Sequence, residues 1–391
     1  MSSDRVPDAP APLLVDLPVL DAALESQRSA LEPALDRLRA DADAALSAGP
    51  FSVTNKDELP PSGDPNDFLS QGDYWWPDPD SEDGLPYVRR DGETNPEVEA
   101  LDEPRVAAMT DAVEALALAA HCFPGDRERH ADRARTLLET FFLDEATLMN
   151  PHLEYAQRIP GRTEGRGIGI IDTRYFRRVT DAVAVLARDG ELPDEDLREL
   201  REWFATYTDW LLHSENGRHE AAHHNNHGTW FDAQVIALGL FAGERETVAP
   251  IVEDAHVAER RLGHQFDGDG SQPLELERTQ PVHYSAFNLE AYVELATLYE
   301  AFGVDLWNYE KPNRPTLYSA VEWLASAVAD RRWEDLRTVP GSPDPEMVQL
   351  VLRRAAVARD DPGMEEAVAA FDGFDPAASR VTLRSPPLEV R

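Results

Sequence analysis

The sequence predicts an all-α protein, an incomplete (α/α) toroid of helical hairpins whose long loops form an active-site cleft. Three observations carry that expectation. Apolar residues recur at three- and four-residue intervals through most of the chain. Strand-like alternation is confined to the C-terminal VTLRSPPLEV. The predicted helices come in pairs joined alternately by short turns and long loops, and no fixed-period repeat favours a plain helical array. With 391 residues, one unit over 1–391 is expected, with 51–96 a lid-like loop segment and 375–391 a C-terminal tail.

Leu20, Ala23, Leu24, Ala30, Leu31, Ala34, Leu35 and Leu38 mark one amphipathic helix over roughly 17–48. From 51 to 96 the periodicity stops among prolines and glycines, and Phe68, Tyr74, Trp75, Trp76 and Tyr87 favour an ordered loop, because disordered segments are poor in such residues. Helices over 97–120 and 126–142 form a hairpin broken at Pro124 and Gly125. The glycine- and arginine-rich segment 149–172 is a second long loop. Asp172 and Thr173 read as caps of a helix to about 188, and Pro193 with Asp194 opens another to about 213. A loop to 226, helices over 228–241 and 246–262, a loop to 282, and helices over 284–302, 315–330, 345–359 and 364–371 complete the chain.

Acidic residues outnumber basic ones 74 to 37, for a formal net charge of −37, and the only lysines are Lys56 and Lys311. Phosphate neutralisation needs a basic face, so neither nucleic acid nor an anionic membrane is expected as a partner. The charges are spread along the chain, as on a surface hydrated at high salt. Cys122 is the single cysteine, which excludes an intrachain disulfide. No basic n-region with an apolar core is legible at the start, so the chain reads as cytoplasmic as written, and no apolar run reaches the length of a membrane span. A monomer without cofactor or metal is expected.

Four constellations bear on chemistry. His219-Glu220-Ala221-Ala222-His223 matches the zinc-protease pattern H-E-x-x-H, yet it runs from Ser214 and Gly217 into Asn225 and Asn226, which is loop chemistry without the apolar face of a zinc-binding helix. Asn225-Asn226-His227-Gly228-Thr229-Trp230 lies at a loop-to-helix junction, where amides favour an anion and a histidine can take a proton; the asparagines also read as simple helix caps. Arg278 with His283 and Tyr284 precedes another helix and supplies a carboxylate partner and a phenolic proton. Trp75 and Trp76, with Arg89 and Arg90 downstream, make a platform or lid for an acidic sugar chain, or a plug for the end of the toroid. Arg158, Arg162, Glu164 and Arg166 are candidates for the same cleft. Together the groups provide what β-elimination from a uronic acid requires: neutralise the C6 carboxylate, remove the C5 proton and protonate O4.

The stretches PPSG (60–63), YWWPDP (74–79), PYVRRDG (86–92), NPHLEYAQRIPGRTEGRGIGIIDT (150–173), NNHGTWFDAQ (225–234) and DGSQPLELERTQPVHYSAFNLEA (269–291) occur in order over about residues 50–300. In them the chain resembles the alginate lyase domain family, helical-toroid polysaccharide lyases. The resemblance implies a catalytic Asn226 and His227, a carboxylate-neutralising Arg278 and a catalytic Tyr284. Trp75, Trp76, Arg89, Arg90, Arg162, Arg166, Asn225, Trp230 and His283 are then expected to bind substrate. The implied activity is metal-independent β-elimination of a 4-O-linked polyuronate, most of all mannuronate-rich alginate, by an enzyme acting outside the cytoplasm. In mannuronate the C5 proton and O4 leave from one face, so Tyr284 can serve as base and acid; in guluronate they leave from opposite faces and His227 is the base. Two other readings stay open: a hydrolase using Glu275 and Glu277 or Asp267 and Asp269, and a polyuronate-binding protein without turnover.

Overall fold

The computed structural model describes residues 10–253, 256–309 and 315–391. Lys311, the middle of the helix expected over 246–262 and the first nine residues of the supposed leaderless start lie outside the described residues. Two helices open the chain, α1 (Leu17–Ser26) and α2 (Arg28–Ala45), where the periodicity predicts one. Gln27 leaves helical geometry at φ −138°, ψ 30°. A single non-helical residue barely disturbs the spacing of apolar positions, so the pattern conceals the break.

The hairpin α3 (Glu103–Cys122) and α4 (Arg127–Leu138) follows, then α5 (Phe176–Arg188), α6 (Asp194–His213), α7 (Glu215–Ala221) and α8 (Asn226–Ala242). Beyond the short α9 (Arg245–Val248), α10 (Gly263–Gln265) and α11 (Pro273–Leu276) stand the long α12 (Pro281–Glu300), α13 (Leu317–Ala329), α14 (Trp333–Leu336), α15 (Pro345–Arg359) and α16 (Val381–Arg384). The inner ring runs through alternate long helices: α3 packs on α5, α5 on α8, α8 on α12 and α12 on α15. Helices α3, α8 and α12 are buried on nearly every side, as the all-round apolar character of their sequences demands. Helices α4, α6 and α13 cover α3, α8 and α12. The result is an all-α toroid. Helix α16 packs against α15 and against α1 and α2, joining the two ends of the arc.

Helix α8 divides the apolar interior. Its Trp230, Ala233, Ile236 and Ala237 enter the core built on α12, α13 and α15, while Phe231, Val235, Leu238 and Phe241 enter the core built on α3 to α6. Its N-terminus is therefore fixed from both sides. The N-terminal strap is fixed too: the buried Asp181 carboxylate accepts from the backbone N–H groups of Leu13, Leu14 and Val15 at 2.7–2.8 Å.

Several local expectations are corrected. The segment 51–96 holds β1 (Leu69–Gln71), β2 (Trp75–Trp76) and β3 (Val88–Arg89), and the loop 149–172 holds β4 (Tyr155–Arg158). The first strand pairs parallel with β4 and the second antiparallel with β3, tying the two long loops together. Strands of two to four residues are too short for alternation to register. VTLRSPPLEV forms α16 and a 3-10 turn, not a strand. Asp172 and Thr173 do not cap α5, which starts at Phe176; Asp172 instead accepts from Ser70 Oγ and Gln157 Nε2. Residues 214–226, expected as loop, contain α7. Helices expected over 97–120 and 126–142 are trimmed by a 3-10 turn at Pro96–Ala100 and a π turn at Glu139–Leu143, and the helix expected over 364–371 is replaced by a 3-10 stretch, Pro362–Ala370.

Candidate active site

The first turn of α8 carries the Asn-His pair. Asn226 is its first residue, and its backbone N–H and Nδ2 both donate to the buried Glu275 carboxylate, at 2.8 and 2.7 Å. Asn225 takes the capping position without a side-chain cap bond, and its Oδ1 is buried with no hydrogen-bond partner. Neither asparagine is thus a simple helix cap. His227 faces the buried Glu220, with Nδ1 and Oε1 2.8 Å apart.

The second half of the site precedes and opens α12. Arg278, on the turn after α11, meets Asp91 from the 51–96 segment, Nη2 to Oδ1 at 3.1 Å and Nε to Oδ2 at 3.4 Å. Its guanidinium carbon lies 3.7 Å from the ring centre of Tyr284. Burial works against the Arg278 charge, but Tyr284 and Asp91 outweigh it and hold the guanidinium above its ordinary range. The Tyr284 hydroxyl is 2.6 Å from the Tyr74 hydroxyl. Burial, then the neighbouring Tyr74, pushes the Tyr284 phenol up, so it keeps its proton in the free protein.

One cavity of about 900 Å³ collects these groups. Asn225, Asn226, His227, Arg278 and Tyr284 line it, together with Trp75, Arg89, Arg166, Trp230 and His283. Trp230 is wholly buried beneath Arg177, and its indole Nε1 has no partner. His283 stacks on Phe287 at 6.3 Å between ring centres, and burial pulls its imidazole down. Arg166 is anchored on the Gln157 carbonyl at 2.8 Å and stands 5.8 Å from the Trp75 ring. Three expected residues stand elsewhere. Trp76 donates Nε1 to the Glu93 carbonyl and stacks under Arg90, both outside this lining. Arg162 bonds the Tyr87 carbonyl and, with Arg158 and Glu164, lines a second cavity beside Tyr87 and Gln71.

Sequence reasoning missed the partners. Tyr74 and Asp91 sit in the motifs already singled out, but nothing in the spacing says that they meet Tyr284 and Arg278. The glutamate of H-E-x-x-H is turned inward to His227, and His219 and His223 meet edge to face, ring centres 5.0 Å apart. Among the described residues, no group of three or more His, Cys, Asp or Glu side chains is placed to hold a metal ion. None of Glu275, Glu277, Asp267 and Asp269 lines the cavity.

Close approach at the start of α8 depends on a missing side chain. A Cβ on Gly228 would collide with the His223 carbonyl and the Arg261 guanidinium. Gly228→Ala is expected to cost about 1–3 kcal/mol through overpacking, read as a shift in chemical denaturation. A variant as stable as the parent would show that the approach is loose.

A toroid of paired helices with such a cleft is the framework of a polysaccharide lyase, a carbon–oxygen lyase. The crystal structure of an alginate lyase from Bacteroides ovatus superposes with a TM-score of 0.89, is 33% identical and covers 96% of this chain and 99% of its own. The sequence matches the alginate lyase family over residues 52–333. The chain belongs to this family. Alginate lyase A1-III from Sphingomonas species A1 shares the fold at 14% identity, with a TM-score of 0.59 over 96% of this chain and 97% of its own. A histidine-to-alanine variant of that enzyme complexed with tetrasaccharide matches at 15% identity, with a TM-score of 0.59 and 96% of both chains covered. A comparison with curated protein sequences finds no match.

Proposed function

We propose that the protein cleaves a 4-O-linked polyuronate by metal-independent β-elimination, with mannuronate-rich alginate as its preferred substrate. The observation that carries this reading is the convergence of Asn226, His227, Arg278 and Tyr284 on one cavity. Arg278 and Asn226 take the C6 carboxylate, drawing charge off the developing carbanion and easing loss of the C5 proton. The C4–O4 bond then breaks, O4 receives a proton from Tyr284, and a C4–C5 double bond remains on the new non-reducing end. The protonated state of Tyr284 supports its part as the acid. On guluronate His227 takes the C5 proton from the opposite face. On mannuronate Tyr284 must first yield its own proton, and the Arg278 charge against its ring is the group that stabilises the phenolate.

Trp75, Arg89, Arg166, Asn225 and His283 form the walls that hold neighbouring sugars, with the buried Trp230 backing them. The polymer enters under the 51–96 segment, and the unit works as a single-domain monomer whose acidic surface suits high salt. Purified protein incubated in high salt with polymannuronate, polyguluronate and alginate should generate the ultraviolet absorbance of an unsaturated uronate, fastest on polymannuronate. Binding without absorbance would leave a polyuronate-binding protein, and cleavage without a double bond would identify a hydrolase.

A further inference from the structure

Buried carboxylates near the ring interior are either matched by arginine or bonded at both oxygens, as Asp172, Asp181 and Glu275 are. Asp232 takes two bonds from Arg261 and one from His256; Glu294 is held by Arg177 and Glu114 by Arg178. Glu220, fully buried, has His227 as its sole ion-pair partner among the described residues, and its Oε2 has no hydrogen-bond partner. A buried, half-satisfied carboxylate is costly, so a purely structural role would favour a neutral or better paired residue there.

The backbone around Glu220 is built to close tolerance. Helix α7 lies against the turn Gly167–Thr173, where a Cβ on Gly167 would sit 2.6 Å from both the Asn216 carbonyl and His219 Nδ1. A Cβ on Gly217 would collide with the Leu211 carbonyl. These contacts set the position of the one helical turn that carries Glu220. His227 approaches it from α8, and the other charged or titratable groups acting at this point are His223, 5.6 Å away between ring centres, Glu275 beneath Asn226, and, farther off, His219, His224, Arg166 and Arg278.

We infer that Glu220 is the positioning residue for His227: it fixes the imidazole proton on Nδ1 and leaves Nε2 as the bare nitrogen for the cavity that His227 lines. A carboxylate holds the histidine of a hydrolytic triad in its working tautomer in the same way. What Nε2 acts on rests on the lyase reading; the tautomer does not.

The test combines Glu220→Gln with nitrogen-15 NMR of histidine-labelled protein, His227 being assigned through His227→Gln. In the parent protein His227 is expected as the Nδ1–H tautomer, and in Glu220→Gln that fixed tautomer is lost. On polyguluronate, where His227 is the base, the variant is expected to lose roughly 100-fold in kcat with KM within about threefold. The double variant should be no slower than His227→Gln alone. An unchanged tautomer, or an activity loss that only follows a lowered thermal midpoint, would overturn the proposal. If the parent cleaves no polyuronate, the lyase reading fails while the NMR still decides the part played by Glu220.

Discussion

Tyr284→Phe is expected to lower kcat on polyuronate by about 10²- to 10⁴-fold, the usual contribution of a positioned general acid, with KM little changed. The split follows from the geometry. The carboxylate end of the sugar is proposed to be held by Arg278 and Asn226, which the substitution leaves in place, and the Phe ring keeps the face against which the Arg278 guanidinium packs. Only the hydroxyl is removed, and with it the proton destined for O4. Tyr74 loses its 2.6 Å partner, but its own side chain is half-exposed and can turn to water. Product absorbance gives kcat and KM, and calorimetry on the inactive variant gives affinity. A variant within tenfold of the parent would take Tyr284 out of the proton transfer.

Arg261→Ala is expected to cost about 3–5 kcal/mol of stability, the range for breaking a buried ion pair from one side. Arg261 is 1% exposed and grips Asp232 with Nε and Nη2 at 2.6 and 2.8 Å. Its remaining donors go to the carbonyls of His223, at 2.7 Å, and Ala221, at 3.3 Å. The same side chain therefore neutralises a carboxylate on α8 and pins the peptide that leads into Asn226 and His227. Urea denaturation reads the first effect. The second predicts that turnover falls even under conditions where the variant stays folded. A loss below about 1 kcal/mol would mean that His256, 2.7 Å from Asp232, carries that charge alone.

The parts of the site legible in the sequence are those that lie in contiguous motifs at loop-to-helix junctions: Asn225 to Trp230, and Arg278 to Tyr284. The partners that orient them were not, because they arrive through the fold. Asp91 reaches Arg278 across 187 positions and Tyr74 reaches Tyr284 across 210. Glu220 is only seven positions from His227, yet H-E-x-x-H presents it as a metal-site glutamate, and only the short helix α7 shows which way it faces. Trp76 and Arg90 lie outside the cavity lining although they adjoin Trp75 and Arg89 in the sequence. Consecutive residues on a strand point to opposite faces, so Trp75 and Trp76 could not both line one cavity. Helix spacing was sound over α6, α8, α12 and α15, whose apolar runs are long. It failed at Gln27, at the two- to four-residue strands and at the C-terminus, where tertiary contacts outweigh local pattern.

The bond between the Tyr74 and Tyr284 hydroxyls gives the proposed catalytic atom a resting partner drawn from the same protein. A sugar O4 that reaches Tyr284 must displace the Tyr74 hydroxyl, trading one hydrogen bond for another of similar strength. The enthalpy of engagement at that oxygen is then close to zero, and affinity has to come from the carboxylate and the ring faces. Tyr74 lines the same cavity, so in the proposed reaction whether its hydroxyl is free or held reports whether the position beside Tyr284 is occupied.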